Sequence, residues 1–291
     1  MDAMWIQFIA SGLTAGAIYA LVALGFSIIY NASGAINFAQ GEFVMIGGMS
    51  AVTLVTAGLP LAAALPLAVL LAAGVGLLLE KLAIEPARNA GTVTLIIITI
   101  GASLFLRGLA QLVWDKRIHA LPPFSGDHPV TLFGATLLPQ SLWVLGGAAL
   151  AVAALSWFFG RTLLGKAMLA TSYNPLAAKL VGINTRTVLL GSFGLAAALG
   201  AIAGVLIAPI TFTSYDTGIV LGLKGFAAAM LGGLGSFGGA VAGGLLLGLL
   251  ESLGAGFVSS AYKEAIAFVI ILAVLFFLPG GLLGARRNER V

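Results

Sequence analysis

Long apolar runs, broken by short polar or glycine-rich stretches, set the pattern of this 291-residue chain. A run of roughly 20 apolar residues, each rising about 1.5 Å, has the length of a bilayer crossing. On that measure the pattern predicts crossing helices over 4–30, 61–83, 92–114, 142–159 and 187–208. Residues 225–251 read as two tightly packed helices folded back near Gly235 and Ser236, and 265–278 as a last membrane segment. The apolar run 43–56 is short for a full crossing and ends at Gly58-Leu59-Pro60. Polar stretches at 115–139 and 209–224 read as connections outside the membrane. The sum is eight or nine membrane segments, some of them short or broken.

Composition sets the class. Hydrophobic residues make up 60% of the chain and charged residues 8%, with a mean hydropathy of +1.12. A soluble chain of this length needs far more charge to cover its surface, so the reading is an all-α polytopic integral membrane protein. Forty glycines in such a chain imply closely approaching helices. Cysteine is absent, which removes disulfides, thiolate metal sites and cysteine nucleophiles. The opening MDAMW lacks the basic segment of a cleavable signal peptide, and the apolar run behind it is too long for one.

The net charge of +4 lies mainly in connections and reports topology. Residues 161–186 carry Arg161, Lys166, Lys179 and Arg186 with no acid, and the tail 285–291 is also basic. The positive-inside rule places both in the cytoplasm, which leaves the N-terminus outside. The whole of 1–291 is then one membrane domain, with a cytoplasmic connection at 161–186 and an outer loop at 115–139. Within the connection, Pro175 suits the first position of a helix and Asn174 its N-cap, while Gly182 and Asn184 suit its C-cap. A short helix over 175–181 is expected, presented to a partner on the cytoplasmic face.

Two stretches are costly in a bilayer. The first is 31–42, where Asn31, Asn37, Gln40 and Glu42 interrupt apolar sequence. Irregular backbone at membrane depth needs cover from protein or a water-filled cavity, and broken helices line substrate paths in many transporters. The alternative is a plain cytoplasmic turn with Glu42 at the N-terminus of the next helix. The second is 225–251, where Gly235, Gly239 and Gly243 share a helical face and Gly244 and Gly248 form another small pair, as Gly12 and Gly16 do in the first helix. Gly235, Ser236 and Gly239 are candidate hinge or pathway positions, with simple close packing as the alternative.

Other motifs carry less. The segment 160–167, GRTLLGKA, matches a phosphate loop through GxxxxGK but places Ala167 where a magnesium-binding Ser or Thr belongs, and it follows a crossing helix. Arg107 is expected to snorkel to the outer interface beside Trp114, and Glu251 to sit near the outer end of its helix, with a pathway role as the alternative for Glu251. His119 and His128 have no neighbouring ligands, so no metal site is expected. No catalytic constellation is visible.

Four stretches together carry a family resemblance: GLTAGAIYALVALGFSIIYNASGAINFAQGEFVMIGG (12–48), GKAMLATSYNPLAAKLVGIN (165–184), FAAAMLGGLGSFGGAVAGGLLLGLLE (226–251) and YKEAIAFVIILAVLFFLPGGLLG (262–284). In order and spacing they resemble the smaller of the two permease subunits of branched-chain amino acid ABC importers, and they cover over a third of the chain. The resemblance implies a type II ABC importer-like permease working by alternating access. Its partners would be a second homologous permease, two cytoplasmic ATPase subunits and an extracytoplasmic solute-binding protein, with no nucleic acid. No cofactor is expected on this chain, since ATP and magnesium would bind the ATPases. The matching coupling-loop positions are Gly165, Lys166, Ala167, Asn174, Pro175, Ala177, Ala178, Gly182, Ile183 and Asn184. Leu169 and Ser172 stand where the family often has a charge, which implies fewer ion pairs with the ATPase.

Relatives that carry urea, short amides or other neutral amino acids share these stretches, so a substrate beyond branched-chain amino acids stays open. A passive channel for a small neutral solute is the rival class. A capped cytoplasmic helix, for which a channel has no need, argues against it.

Overall fold

Apolar segments without bilayer water to bond their backbone must close their hydrogen bonds internally. In the computed structural model the chain does so as α1 (Asp2–Ser33), α2 (Gln40–Thr56), α3 (Leu61–Leu79, continued by a π turn Glu80–Ile84), α4 (Thr92–Trp114), α5 (Pro139–Arg161), α6 (Leu163–Tyr173), α7 (Pro175–Leu180), α8 (Thr185–Thr211), α9 (Thr217–Gly232), α10 (Phe237–Phe257) and α11 (Lys263–Phe277). The structure describes residues 2–126, 128–132, 135–257, 259 and 263–284; the basic tail 285–291 and Tyr262 lie outside the described residues. Among these, six helices are long and apolar enough to cross a membrane: α1, α3 with its π turn, α4, α5, α8 and α10.

The sequence pattern and the helices agree at α4, whose bounds coincide, and differ where tertiary packing decides. α1 runs on to Ser33, so Asn31 is helical and the irregular stretch is only 34–39. α8 runs to Thr211 and α9 begins at Thr217. The expected outer connection over 209–224 therefore shrinks to 212–216, and Lys224 is helical. α6 was not expected at all. It starts at a sharp corner after α5, where the Thr162 side chain accepts from Gly165 N (2.9 Å) and donates to Phe158 O (2.7 Å). Gly165 is needed there, because a methyl group on it would overlap the Phe158 carbonyl.

Most of α1 and α8 is buried, and the remaining helices wrap them. Small residues set the approach. Gly12 and Gly16 of α1 lie against Leu249 and Leu245 of α10, and a methyl on Gly16 would sit 2.8 Å from Leu245 Cα. Gly76 of α3 meets Ala197 and the Phe193 carbonyl of α8 in the same manner. α2 rests on α8 through Gly47 and Ala201, while α9 rests on α1 through Gly225 and Val22. The units α1–α2–α3 and α8–α9–α10 thus share one plan: a long helix, a break, a short helix, then a helix packed on the long helix of the other unit, α3 on α8 and α10 on α1. Large apolar side chains of α3, α4 and α5, such as Leu70, Leu104, Phe105, Leu112 and Leu150, point outward, as a bilayer solvent favours.

A small antiparallel hairpin, β1 (Val130–Leu132) and β2 (Ala135–Leu137), lies in the loop 115–139. It is tied to the start of α1 by Gln7, whose amide donates to Thr136 O (2.8 Å) and accepts from Thr136 N (2.9 Å).

Candidate functional site: helix breaks, buried ion pairs and an exposed basic-end helix

The first break is satisfied by side chains. After α1, Gly34 N bonds back to Tyr30 O and Ala35 N donates to Ser33 Oγ (3.1 Å). Phe38 N donates to Thr99 Oγ1 of α4 (3.1 Å), and Ala39 N to Asn37 Oδ1 (3.1 Å). Without these partners each buried N–H at this depth would cost several kcal/mol. Gln40 then starts α2 in the middle of the bundle. Its side chain crosses α1 at Gly25, where a methyl group would overlap it, and donates to Ala196 O of α8 (3.0 Å). From there α2 rises about 25 Å over 17 residues, too little for a hydrocarbon core of about 30 Å. Asn37, Gln40 and Glu42 are all buried, so the plain cytoplasmic turn is not what this segment forms.

The second break is satisfied by the loop 115–139. Thr213 exchanges two backbone hydrogen bonds with His119, at 2.8 and 2.9 Å. Thr213 also caps the approach of Gly48, 2.9 Å from where a Gly48 methyl would stand. α9 therefore also begins inside the bundle, with Gly218 and Gly222 against Gly41. Two short helices start at one depth and meet at their N-termini.

Two ion pairs lie beside these breaks. Glu42, in the first turn of α2, has Oε1 3.3 Å from Arg107 Nε and accepts a 2.7 Å bond from Ser103 Oγ. The expectation that Arg107 snorkels to the interface is corrected: burial of Glu42 demands a counter-charge, and Arg107 supplies it. Trp114 instead donates to Thr53 Oγ1 (2.6 Å). The expectation for Glu251 is corrected likewise. It is buried, with Oε1 2.7 Å from Lys224 Nζ and Oε2 accepting from Tyr19 (2.8 Å). Ser103, Thr99 and Lys224 escape a reading of the sequence; the charge of Lys224 beside an apolar run is the one visible mark, and the two hydroxyls carry none. Among the described residues no group of three or more His, Cys, Asp or Glu could hold a metal.

The hinge candidates gather elsewhere, at the basic end. Asn31 Nδ2 donates to Gly235 O (2.8 Å), and Gly239 N donates to Ser236 Oγ (3.1 Å). Gly233 and Gly235, with φ of 104° and 90°, turn the chain between α9 and α10 in a region closed to other residues at low cost. Asn31, Gly235, Ser236 and Gly239 thus form one turn, apart from Asn37, Gln40 and Glu42.

Beside that turn lies α6, which leads into α7. Asn174 caps α7 as expected, its Oδ1 accepting from Leu176 N and Ala177 N at 3.0 Å each. Gly182, with φ of 88°, ends it. Asn184 has a different role from the expected C-cap: it is the N-cap of α8, accepting from Arg186 N (3.1 Å). α7 turns its small residue inward, so Ala178 is buried in this chain and unavailable as a partner contact. Tyr173, Leu176, Leu180 and Val181 point outward, each more than 70% exposed. Pro175, Ala177, Lys166 and Lys179 are exposed as well, while Ala167 and Ile183 are half-buried. A groove of ≈ 650 Å³ separates α7 from the α3–α4 connection and carries Arg88, Lys179 and Arg186.

Half-length helices meeting inside a helical bundle, ion pairs at that depth and a capped apolar helix exposed at one end define a polytopic membrane permease. Over residues 8–275 the chain matches the family described as "Branched-chain amino acid transport system / permease component". It is 35% identical to the high-affinity branched-chain amino acid transport system permease protein LivH of Escherichia coli K12, covering 99% of this chain and 98% of that one. To BraD of Pseudomonas aeruginosa, named in the same terms, it is 33% identical with the same coverage. The solved structure of PsaBC from Streptococcus pneumoniae in complex with Fab shares the fold, at a TM-score of 0.51 and 17% identity over 99% of this chain and 98% of that chain. The chain belongs to the family of branched-chain amino acid transport system permease components, an integral membrane protein with the type II importer-like permease fold.

Proposed function

We propose that this chain is the translocating subunit of an ATP-driven importer of branched-chain or related neutral amino acids, working by alternating access. It pairs in the membrane with a second homologous permease. Two ATPases bind at its cytoplasmic end and an extracytoplasmic binding protein at the other, with ATP and magnesium held on the ATPases alone. The N-terminus is extracytoplasmic, and 161–186 with the basic tail is cytoplasmic, in keeping with the positive-inside rule.

The observation that carries this reading is the outward apolar surface of α7, Leu176 and Leu180, extended by Tyr173 before it and Val181 after it, on a helix capped at both ends. Such a face in water calls for a protein partner. α7 packs on α6 and on the base of α8, and α6 in turn lies beside Asn31 of α1, so a push on α7 reaches the two long central helices. The names of the relatives point to the substrate class. In proteoliposomes, the chain with its partner permease, both ATPases and the binding protein should take up leucine only with ATP. The chain alone should neither hydrolyse ATP nor pass leucine; uptake by the isolated chain would support a passive channel instead.

A further inference from the structure

The two intramembrane ion pairs are unequal, and the inequality points to a ligand. Glu251 is fully engaged: one carboxylate oxygen takes Lys224 and the other takes Tyr19. Glu42 is not. Its Oε1 accepts from Ser103 and faces Arg107 Nε at 3.3 Å as an ion pair without a formed hydrogen bond, and its buried Oε2 has no hydrogen-bond partner. A buried charged pair kept only for structure has every reason to fill these positions, because an unmet polar atom at this depth is costly. Both groups line a cleft of ≈ 170 Å³ between α2, α4 and α9. Gly218 keeps the space beside Oε2 open, since a methyl there would stand 3.0 Å from that oxygen. The opposite wall is aromatic, with Phe226 packed between Phe26 (5.6 Å) and Phe38 (5.7 Å).

We propose that this cleft is a subsite for the head group of a zwitterionic amino acid, with the Arg107 guanidinium taking the carboxylate, Glu42 the ammonium, and the phenylalanines the side chain. The inference rests on the reading of the chain as an amino-acid importer. A zwitterion is the ligand an ion pair can admit without changing the charge of its surroundings. The pair opens, each member finds an opposite partner in the ligand, and the sum stays neutral. A free amine or a free acid leaves one member unpaired in a medium that penalises lone charge. Ser103 holds Glu42 in place, and its hydroxyl lies 3.4 Å from Arg107 Nη2, so both ends of the pair share one anchor.

The test uses the complete complex in lipid nanodiscs, with Ile219→Cys at the rim of the cleft; the chain has no other cysteine. Leucine should slow labelling of that cysteine by a water-soluble thiol reagent several-fold, whereas leucinol and 4-methylpentanoate, each lacking one charge, should not. The double variant Glu42→Gln/Arg107→Gln should label at the unprotected rate with or without leucine. Arg107→Lys, which keeps the charge and loses the two-pronged grip, should need at least tenfold more leucine for the same protection. Protection by leucine that survives the double variant overturns the proposal. So does equal protection by leucinol and 4-methylpentanoate, or an unreactive or unprotected cysteine in a complex that still transports leucine. If the wild-type complex takes up no amino acid with ATP and binding protein, the transport reading fails, while protection by leucine in that preparation would still uphold the site.

Discussion

Gly41 on α2 and Gly218 on α9 face each other so closely that a methyl group on Gly218 would sit 2.6 Å from the Gly41 carbonyl oxygen. The contact brings the N-termini of two short helices together inside the bundle. Their partial positive ends converge where Glu42 stands, in the first turn of α2. A carboxylate at that depth is therefore held by two helix ends as well as by Arg107. No other residue type allows the approach.

Gly218→Ala should accordingly force α2 and α9 apart, at a cost of about 1–3 kcal/mol. The purified protein should lose several degrees of thermal midpoint, and the complex should lose most of its leucine uptake. Gly101→Ala is the control: nothing lies within 4 Å of that position, and alanine is the better helix former. Its midpoint should stay level or rise. Equal effects from the two substitutions would mean that the Gly41–Gly218 contact carries no special constraint.

The exposed face of α7 makes a separate prediction. Leu176→Asp with Leu180→Asp changes two side chains that touch little of their own chain, so membrane abundance and thermal midpoint should stay near wild type. Co-purification of the ATPases and ATP-driven uptake should each fall at least tenfold. Ala178→Glu should behave differently. Its carboxylate would be forced into the buried side of α7 and should unfold the loop itself, seen as faster proteolysis at 161–186. Normal uptake by the Leu176/Leu180 variant would remove α7 from the coupling role.

Asn174→Ala removes both cap hydrogen bonds of a six-residue helix, worth about 1 kcal/mol together. So short a helix has little else within it to hold its first turn. Amide exchange over 175–180 should speed up roughly fivefold, with exchange in α8 unchanged. Asn184→Ala should do the reverse, loosening the start of α8 and sparing α7.

The Glu251–Lys224 pair should be structural. Removing either member alone, as Glu251→Gln or Lys224→Met, leaves a buried charge and should cost about 3–5 kcal/mol. The double variant should recover much of that loss, because it removes the stranded charge. A double-mutant cycle on thermal midpoints in detergent measures the coupling; additive losses would show that the two residues act independently.

Sidedness is checked by single cysteines in an otherwise cysteine-free chain. An impermeant reagent added outside intact cells should label Ser125→Cys and leave Ser172→Cys untouched. External labelling at position 172 would invert the topology and take the coupling role of α7 with it.

What the sequence determined by itself was whatever depends on near neighbours. The bounds of α4 follow from one long apolar run whose single charge is Arg107. The ends of α7 follow from Asn174 and Gly182, whose bonds and backbone angle involve residues within four positions. The return at Gly235 was legible because a positive φ leaves glycine as the favoured residue. The tertiary structure decided everything that costs energy until a distant partner meets it. Ser103 reaches Glu42 from 61 residues away, and Tyr19 reaches Glu251 from 232. A charge in an apolar run announces that a partner must exist, but its spacing along the chain does not say which helix brings that partner. The same holds for the second break: five non-helical residues at 212–216 look like a surface turn until His119 supplies the backbone bonds that let them lie within the bundle. The resemblance puts Ala178 among the coupling-loop positions and leaves Leu180 out, whereas the seat of the short helix against α8 turns Ala178 inward and leaves Leu180 outward. Local propensity and capping act over one helical turn, whereas burial and charge pairing act through space, and in this chain the latter place the candidate site.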